Sequence, residues 1–154
     1  MLSTLEEAAT IPAMNEDTLA SVRLIESELM ERPQVPVHTH HVLHGGVYTR
    51  SMNMPKGCVL TGALIKIPTT LIISGCVSIA TGDDTLQFEG YSVVPALAGR
   101  KQVMYANEDS HLTMLFPTAA ETVKDAEIEF TDEYTMLGSH KANGDTTVIT
   151  GVKL

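Results

Sequence analysis

Residues 76–90 read CVSIATGDDTLQFEG, two runs of strand-forming residues set either side of Gly82, Asp83 and Asp84. Gly and Asp at that step supply turn chemistry, so the stretch predicts a β-hairpin. The same texture extends in both directions. From Pro33 to Pro117 short apolar runs rich in Val, Ile and Thr are punctuated by Gly, Pro and Asp, with few charges. Strands are expected near 42–53, 58–67, 69–80, 85–89, 91–97, 101–106 and 111–116, with the pair Gly45-Gly46 taken as a bulge inside the first. A parallel sheet needs a helix between successive strands, and none can be placed there. A barrel or sandwich is therefore expected.

Helices are expected on both flanks. Asn15 is a candidate N-cap for a helix over 15–32, with Glu16 and Asp17 in its first turn and Pro33 as its stop. Leu19, Val22, Ile25 and Leu29 form one stripe on it for packing. After Pro117, Thr118 and Glu121 have capping-box spacing ahead of a short helix in AAETVKDAEIEF. The tail NGDTTVITGVKL ends in a short strand that can pair with the sheet or with another subunit. The expected organisation is an N-terminal helical arm (1–33), a β-barrel (34–118) and a C-terminal helix and tail (119–154), together one structural domain of 154 residues.

Charge divides along the same lines. Ten Lys and Arg face 19 Asp and Glu, for a net −9. Residues 1–33 carry two bases and seven acids, 34–118 five of each, and 119–154 three and seven. The flanks hold all the excess acid. With no basic run, a nucleic-acid polymer is not an expected partner. No apolar run reaches the ~18–20 residues of a membrane helix, and the N-terminus MLSTLEEAAT is acidic where a secretory signal is basic. The expectation is a cytoplasmic protein, with Cys58 and Cys76 as buried free thiols of a reducing compartment.

The strand region, over roughly 42–117, resembles the cupin superfamily of small double-stranded β-helix barrels. Gly57 and Gly75 frame the first cupin motif in GCVLTGALIKIPTTLIISG, and Gly90, Pro95, Gly99 and Asn107 frame the second in GYSVVPALAGRKQVMYAN. Where the family's metal-binding histidines and glutamate fall, this chain has Ala63, Ile65 and Pro68 or Thr69, with Val103 in the second motif. Aliphatic side chains donate no lone pair, so no metal is expected at those positions and no cofactor is implied. The runs His41, His44, Gly45, Gly46, Tyr48, Arg50 and Gly99, Arg100, Lys101, Gln102 also resemble cupin-like proteins of bacteriophages and prophages. That resemblance implies a phage-encoded protein of the host cytoplasm and names no reaction.

The chemistry-bearing residues of the neutral middle are His44, Tyr48, Arg50, Lys66, Arg100 and Lys101, the candidate ligand-binding set. Arg presents a planar fork to phosphate or carboxylate, Lys a point charge, and Tyr and His a ring plus a hydrogen-bonding group. The expected ligand is a small organic anion, a nucleotide or sugar phosphate, bound without metal; a phage protein sequestering a host nucleotide signal fits this description. If the strand runs unbroken through Gly45-Gly46, His38, His40 and His44 share one face with Tyr48 and Arg50. His38 and His40, with His44 or a distant His111, are the alternative metal set, although no Asp or Glu lies between Glu31 and Asp83 to support them. Two other functions remain open: a metal-free isomerase or epimerase using His44 and Tyr48 as base and acid, and a phage structural or assembly protein. A homo-oligomer, dimeric or larger, is expected in either setting.

Overall fold

In the computed structural model, which describes residues 9–137 and 146–150, a helix α1 (Glu16–Met30) precedes seven strands. These are β1 (Thr39–His44), β2 (Val47–Met54), β3 (Val59–Thr61), β4 (Thr69–Ala80), β5 (Thr85–Ala96), β6 (Val103–Ala106) and β7 (Ser110–Pro117). A second helix α2 (Val123–Phe130), one 3-10 turn (Tyr134–Met136) and an eighth strand β8 (Thr146–Ile149) follow. The chain is mainly β with a helix at each end, as the sequence predicts. No helix among the described residues is long and apolar enough to cross a membrane.

All eight strands join one curled sheet, in the order β3-β6-β4-β7-β2-β1-β8, with β5 also paired to β4. The β4–β5 hairpin closes at Gly82-Asp83-Asp84, its ladder running from Ala80↔Thr85 to Thr69↔Ala96. Its two expected pieces, 85–89 and 91–97, are one strand, because Gly90 stays in register opposite Gly75. The other edge of β4 is divided. Residues 70–74 pair with β7 and 77–80 with β6, so the sheet bends away between them. At that junction Gly75 has φ +124°, and a Cβ there would lie 2.8 Å from the Ser110 Cα. Only glycine fits both the torsion and the close approach.

The expected strand over 42–53 is instead a two-strand hairpin. Gly45 and Gly46 both have positive φ, 60° and 76°, which two consecutive L-residues do not readily adopt, and they make the two-residue turn between β1 and β2. Pairing then runs His44↔Val47, Leu43↔Tyr48 and His41↔Arg50. Partners across an antiparallel ladder share a face, so Tyr48 and Arg50 lie with His41 and Leu43, not with His44. Elsewhere the expected 58–67 strand is regular only over β3, with a further bridge from Ile65 to Arg100, and the expected 101–106 strand starts at Val103.

Both helices begin at side-chain caps. Asn15 accepts from the Thr18 amide at 2.8 Å. The packing stripe on α1 docks only in part: Val22 is buried, Leu19 and Leu29 are half-buried, and Ile25 is 41 % exposed. The cap of α2 is Thr122, accepting from the Asp125 amide at 3.1 Å, and not Thr118. The Thr118 hydroxyl is already engaged, accepting from the Ala120 amide and donating to Glu129, which holds 118–121 outside the helix. The expected tail strand appears as β8, parallel to β1 from His40↔Thr146 to Leu43↔Ile149; residues 143–145 and 151–154 of that expectation lie outside the described residues.

Inward side chains of the strands build one apolar cluster that includes Leu43, Tyr48, Ile73, Ile79 and Phe116, and α2 adds Ala126 and Phe130. Each such side chain contributes ~1.5–3 kcal/mol when fully buried. Tyr48 stacks on Phe130 at 6.3 Å and meets Phe116 edge-on at 5.5 Å, so α2 is fastened to the β1–β2 hairpin by aromatic contacts. Cys58 is buried and Cys76 half-buried, both as free thiols, and burial pushes the Cys58 thiol above its usual range.

Candidate functional site

The curled sheet encloses a cavity of about 590 Å³, within the size range of small-molecule sites. Its wall is mostly apolar, including Leu60, Ile65, Leu71, Met104, Met114 and Phe130. The exposed segment Gln34–His38 also lines it and marks its mouth. Among the described residues that line it, His38, Arg50 and Arg100 are ionisable and none is a carboxylic acid.

Arg100 and Gln102 are placed by an extended segment clamped to residues 62–65. The Gly62 amide donates to the Gln102 carbonyl at 2.9 Å, the Ile65 amide to the Arg100 carbonyl at 2.8 Å, and the Gly99 amide to the Ile65 carbonyl at 2.7 Å. Extended backbone alternates its side chains, which sends Arg100 and Gln102 to the cavity and Lys101 to the opposite side. Lys101 is fully buried there between Glu26 of α1 (2.8 Å) and Glu133 (3.0 Å). Burial acts to raise the Glu133 carboxyl, but hydrogen bonding and charge from Lys101, the Leu64 amide and the charge of Arg23 outweigh it and leave Glu133 below the usual carboxylate range.

The two cavity arginines differ in electrostatic state. Arg50 is buried, donates to Glu127 at 3.1 Å and to the Tyr48 hydroxyl at 3.3 Å, and lies with its guanidinium carbon 5.7 Å from the Phe130 ring centroid. Glu127 is itself buried, so this cation is neutralised in place. Arg100 is 1 % exposed. Its Nη1 donates to the Leu97 carbonyl at 2.9 Å and its Nη2 to the Thr69 hydroxyl at 2.6 Å. Neither partner is charged. Its Nε has no hydrogen-bond partner among the described residues, and neither has Nε2 of Gln102. Desolvation without a counter-charge pushes the Arg100 guanidinium down to about 10, which leaves it protonated at neutral pH.

The rest of the sequence-derived set disperses. Tyr48 is fully buried behind Arg50 and touches the site through it, with its hydroxyl 2.7 Å from Nδ1 of the equally buried His41. His44 is exposed on the opposite face beside the β1–β2 turn, where its Nδ1 contacts the Thr150 hydroxyl. His44 and Tyr48, the candidate base and acid, are thus on different faces of one hairpin. Lys66 ion-pairs with Asp132 at 2.7 Å on the surface. His40 is exposed, His38 is at the cavity mouth, and His111 pairs with Asn53 across β7 and β2. Among the described residues no three His, Cys, Asp or Glu side chains converge as a metal site requires. Ala63 and Ile65, at positions where the cupin resemblance puts metal ligands, do line the cavity, but with alkyl groups. The residues present do not fit the family's metal. His41, Gln102 and Glu127 were absent from the sequence-derived set. A two-residue Gly-Gly turn would have flagged His41 by placing it opposite Arg50; Glu127 carries no local signal.

Comparison with known proteins adds the following. No family model matches the chain, and no curated protein matches it. Among solved structures the chain is similar to a cupin superfamily protein of Desulfitobacterium hafniense, with 14 % identity, 71 % of this chain and 99 % of that one covered, and a TM-score of 0.46. It is also similar to a cupin-2 domain protein of Shewanella frigidimarina, with 11 % identity, 60 % and 91 % covered and a TM-score of 0.42. A third is the cupin domain of an XRE family transcriptional regulator of Enterobacter cloacae, with 10 % identity, 54 % and 99 % covered and a TM-score of 0.45.

Proposed function

We propose that this is a metal-independent, cupin-like binding protein for a small organic anion, held in the cavity against Arg100. One observation carries the reading: a fully buried guanidinium lines a mostly apolar cavity with no carboxylate partner among the described residues and with its Nε unpartnered. Burying a cation this way is unfavourable unless something supplies the missing charge, and an anionic ligand does so. The donor-poor wall supports a binder without metal. The sequence expects a nucleotide or sugar phosphate; the donors in the cavity bear on that choice below.

Native mass spectrometry of the purified protein, followed by denaturation and small-molecule identification, tests the reading. The expected result is a retained anionic compound in the wild type, lost in Arg100→Met while the far-ultraviolet circular dichroism stays native. Retention of the same compound by Arg100→Met, or a wild type that takes up no anion from a broad metabolite library, would refute it.

A further inference from the structure

Resting on that anion-binding reading, we infer that the ligand is a monocarboxylate with an apolar body, and not a phosphate ester. Charge and donor counts both lead there. Of the two arginines that line the cavity, Arg50 is paired with Glu127 and Arg100 with no acid, and among the described residues no acid lines the wall. Among the described residues the wall therefore offers one arginine without an acid beside it, Arg100. A carboxylate carries one negative charge and cancels the guanidinium's positive one. A phosphate monoester carries nearly two at neutral pH and would take a surplus charge into an apolar enclosure, which is strongly unfavourable.

The free donors match in the same way. Nη1 of Arg100 already donates to Leu97, and Nη2 to Thr69 and, at 4.0 Å, toward the Met114 sulfur. The buried side-chain nitrogens with no partner among the described residues are Nε of Arg100 and Nε2 of Gln102, on side chains two residues apart in an extended segment that sends both to the cavity. A carboxylate has two oxygens to accept from them. A phosphate has three peripheral oxygens, one more than these two nitrogens match. Most of the remaining wall is apolar, with Met52, Leu71, Met104, Leu112, Met114 and Phe130, and the volume of about 590 Å³ corresponds to roughly twenty non-hydrogen atoms at the ~30 Å³ a water occupies in the liquid. A medium-length alkyl or aryl chain behind the carboxylate fills that space, and its transfer from water supplies affinity.

Isothermal titration calorimetry with four probes tests this: decanoate, decyl phosphate, 1-decanol and AMP, each below its aggregation limit. Decanoate is expected to bind one to one, with decyl phosphate, decanol and AMP at least tenfold weaker. Arg100→Met and, as a second and milder variant that keeps the buried cation, Gln102→Leu should weaken decanoate at least tenfold and at least threefold respectively, the range expected for losing a hydrogen bond to a charged group. If AMP or decyl phosphate binds as tightly as decanoate and loses affinity in Arg100→Met, the carboxylate inference falls while the anion-binding reading stands. If decanol equals decanoate, or no anion binds the folded protein, both fall.

Discussion

Glu127→Gln isolates the charge balance on which the site depends. The carboxylate accepts from Arg50 at 3.1 Å with both side chains buried. At an effective dielectric near 20, that separation corresponds to an attraction of about 5 kcal/mol. The amide keeps a hydrogen-bond acceptor beside Arg50, which returns about 1–1.5 kcal/mol. The expected net loss is therefore about 3–4 kcal/mol, in line with breaking one side of a buried pair. For a domain of this length that lowers Tm by about 10 °C. The same substitution should change what the cavity accepts, because the wall then keeps the charge of Arg50 and loses that of Glu127 behind it. A dianion such as sebacate, a ten-carbon dicarboxylate, should restore part of the lost stability to the variant, about 2.7 kcal/mol at a hundredfold excess over its dissociation constant, while leaving the wild type almost unchanged. Thermal melts by circular dichroism with and without sebacate read both effects. A loss under about 1 kcal/mol would mean that Arg50 is not held by this carboxylate. An equal response of both proteins to sebacate would mean that Arg50 does not contribute charge to the cavity.

Four further outcomes follow from the geometry. Gly75→Ala places a methyl group on Ser110 at a positive-φ position; urea unfolding should show a loss of about 3 kcal/mol or more, and a change below about 1 kcal/mol would contradict the close β4–β7 approach. Tyr48→Phe removes the hydroxyl shared by His41 and Arg50 and should cost about 1–3 kcal/mol, with an unchanged midpoint arguing that the hydroxyl is not engaged in solution. Glu133 is held below the usual carboxylate range in the folded state, so its contribution is complete above the unfolded value and is lost as pH falls through that value toward the folded one. Glu133→Gln should flatten the stability profile on that acid limb, and superimposable profiles would show that the Lys101 contact contributes nothing. Cys58, buried and shifted upward, should react with a disulfide reagent at pH 8 much more slowly than the half-buried Cys76; equal rates would contradict its burial.

Local chemistry made much of the fold legible. The Gly82-Asp83-Asp84 turn, the runs around it, the Asn15 cap and the tail strand all depend on neighbours within a few residues, and each is found. Gly45-Gly46 was equally local, but a glycine pair in a strand-like run allows either a bulge or a two-residue turn, and the choice inverts the face of every residue beyond it. Taking it as a bulge grouped Tyr48 with His44; the turn groups it with His41. The Thr118–Glu121 spacing failed for a different reason. The Thr118 hydroxyl is engaged by Ala120 and Glu129, and that leaves Thr122 to cap the helix.

By itself the sequence determined that this chain is mainly β, flanked by acidic helical ends, with half of its Lys and Arg in a neutral middle. Which of those cations remains available was decided only by the tertiary structure. Arg50 meets Glu127 across 77 positions, and Lys101 meets Glu26 and Glu133 across the body of the protein. Arg100, one residue from Lys101, meets no acid among the described residues. Hydrophobic periodicity is a property of neighbours along the chain, whereas the neutralisation of a buried charge depends on which distant segment the fold brings against it.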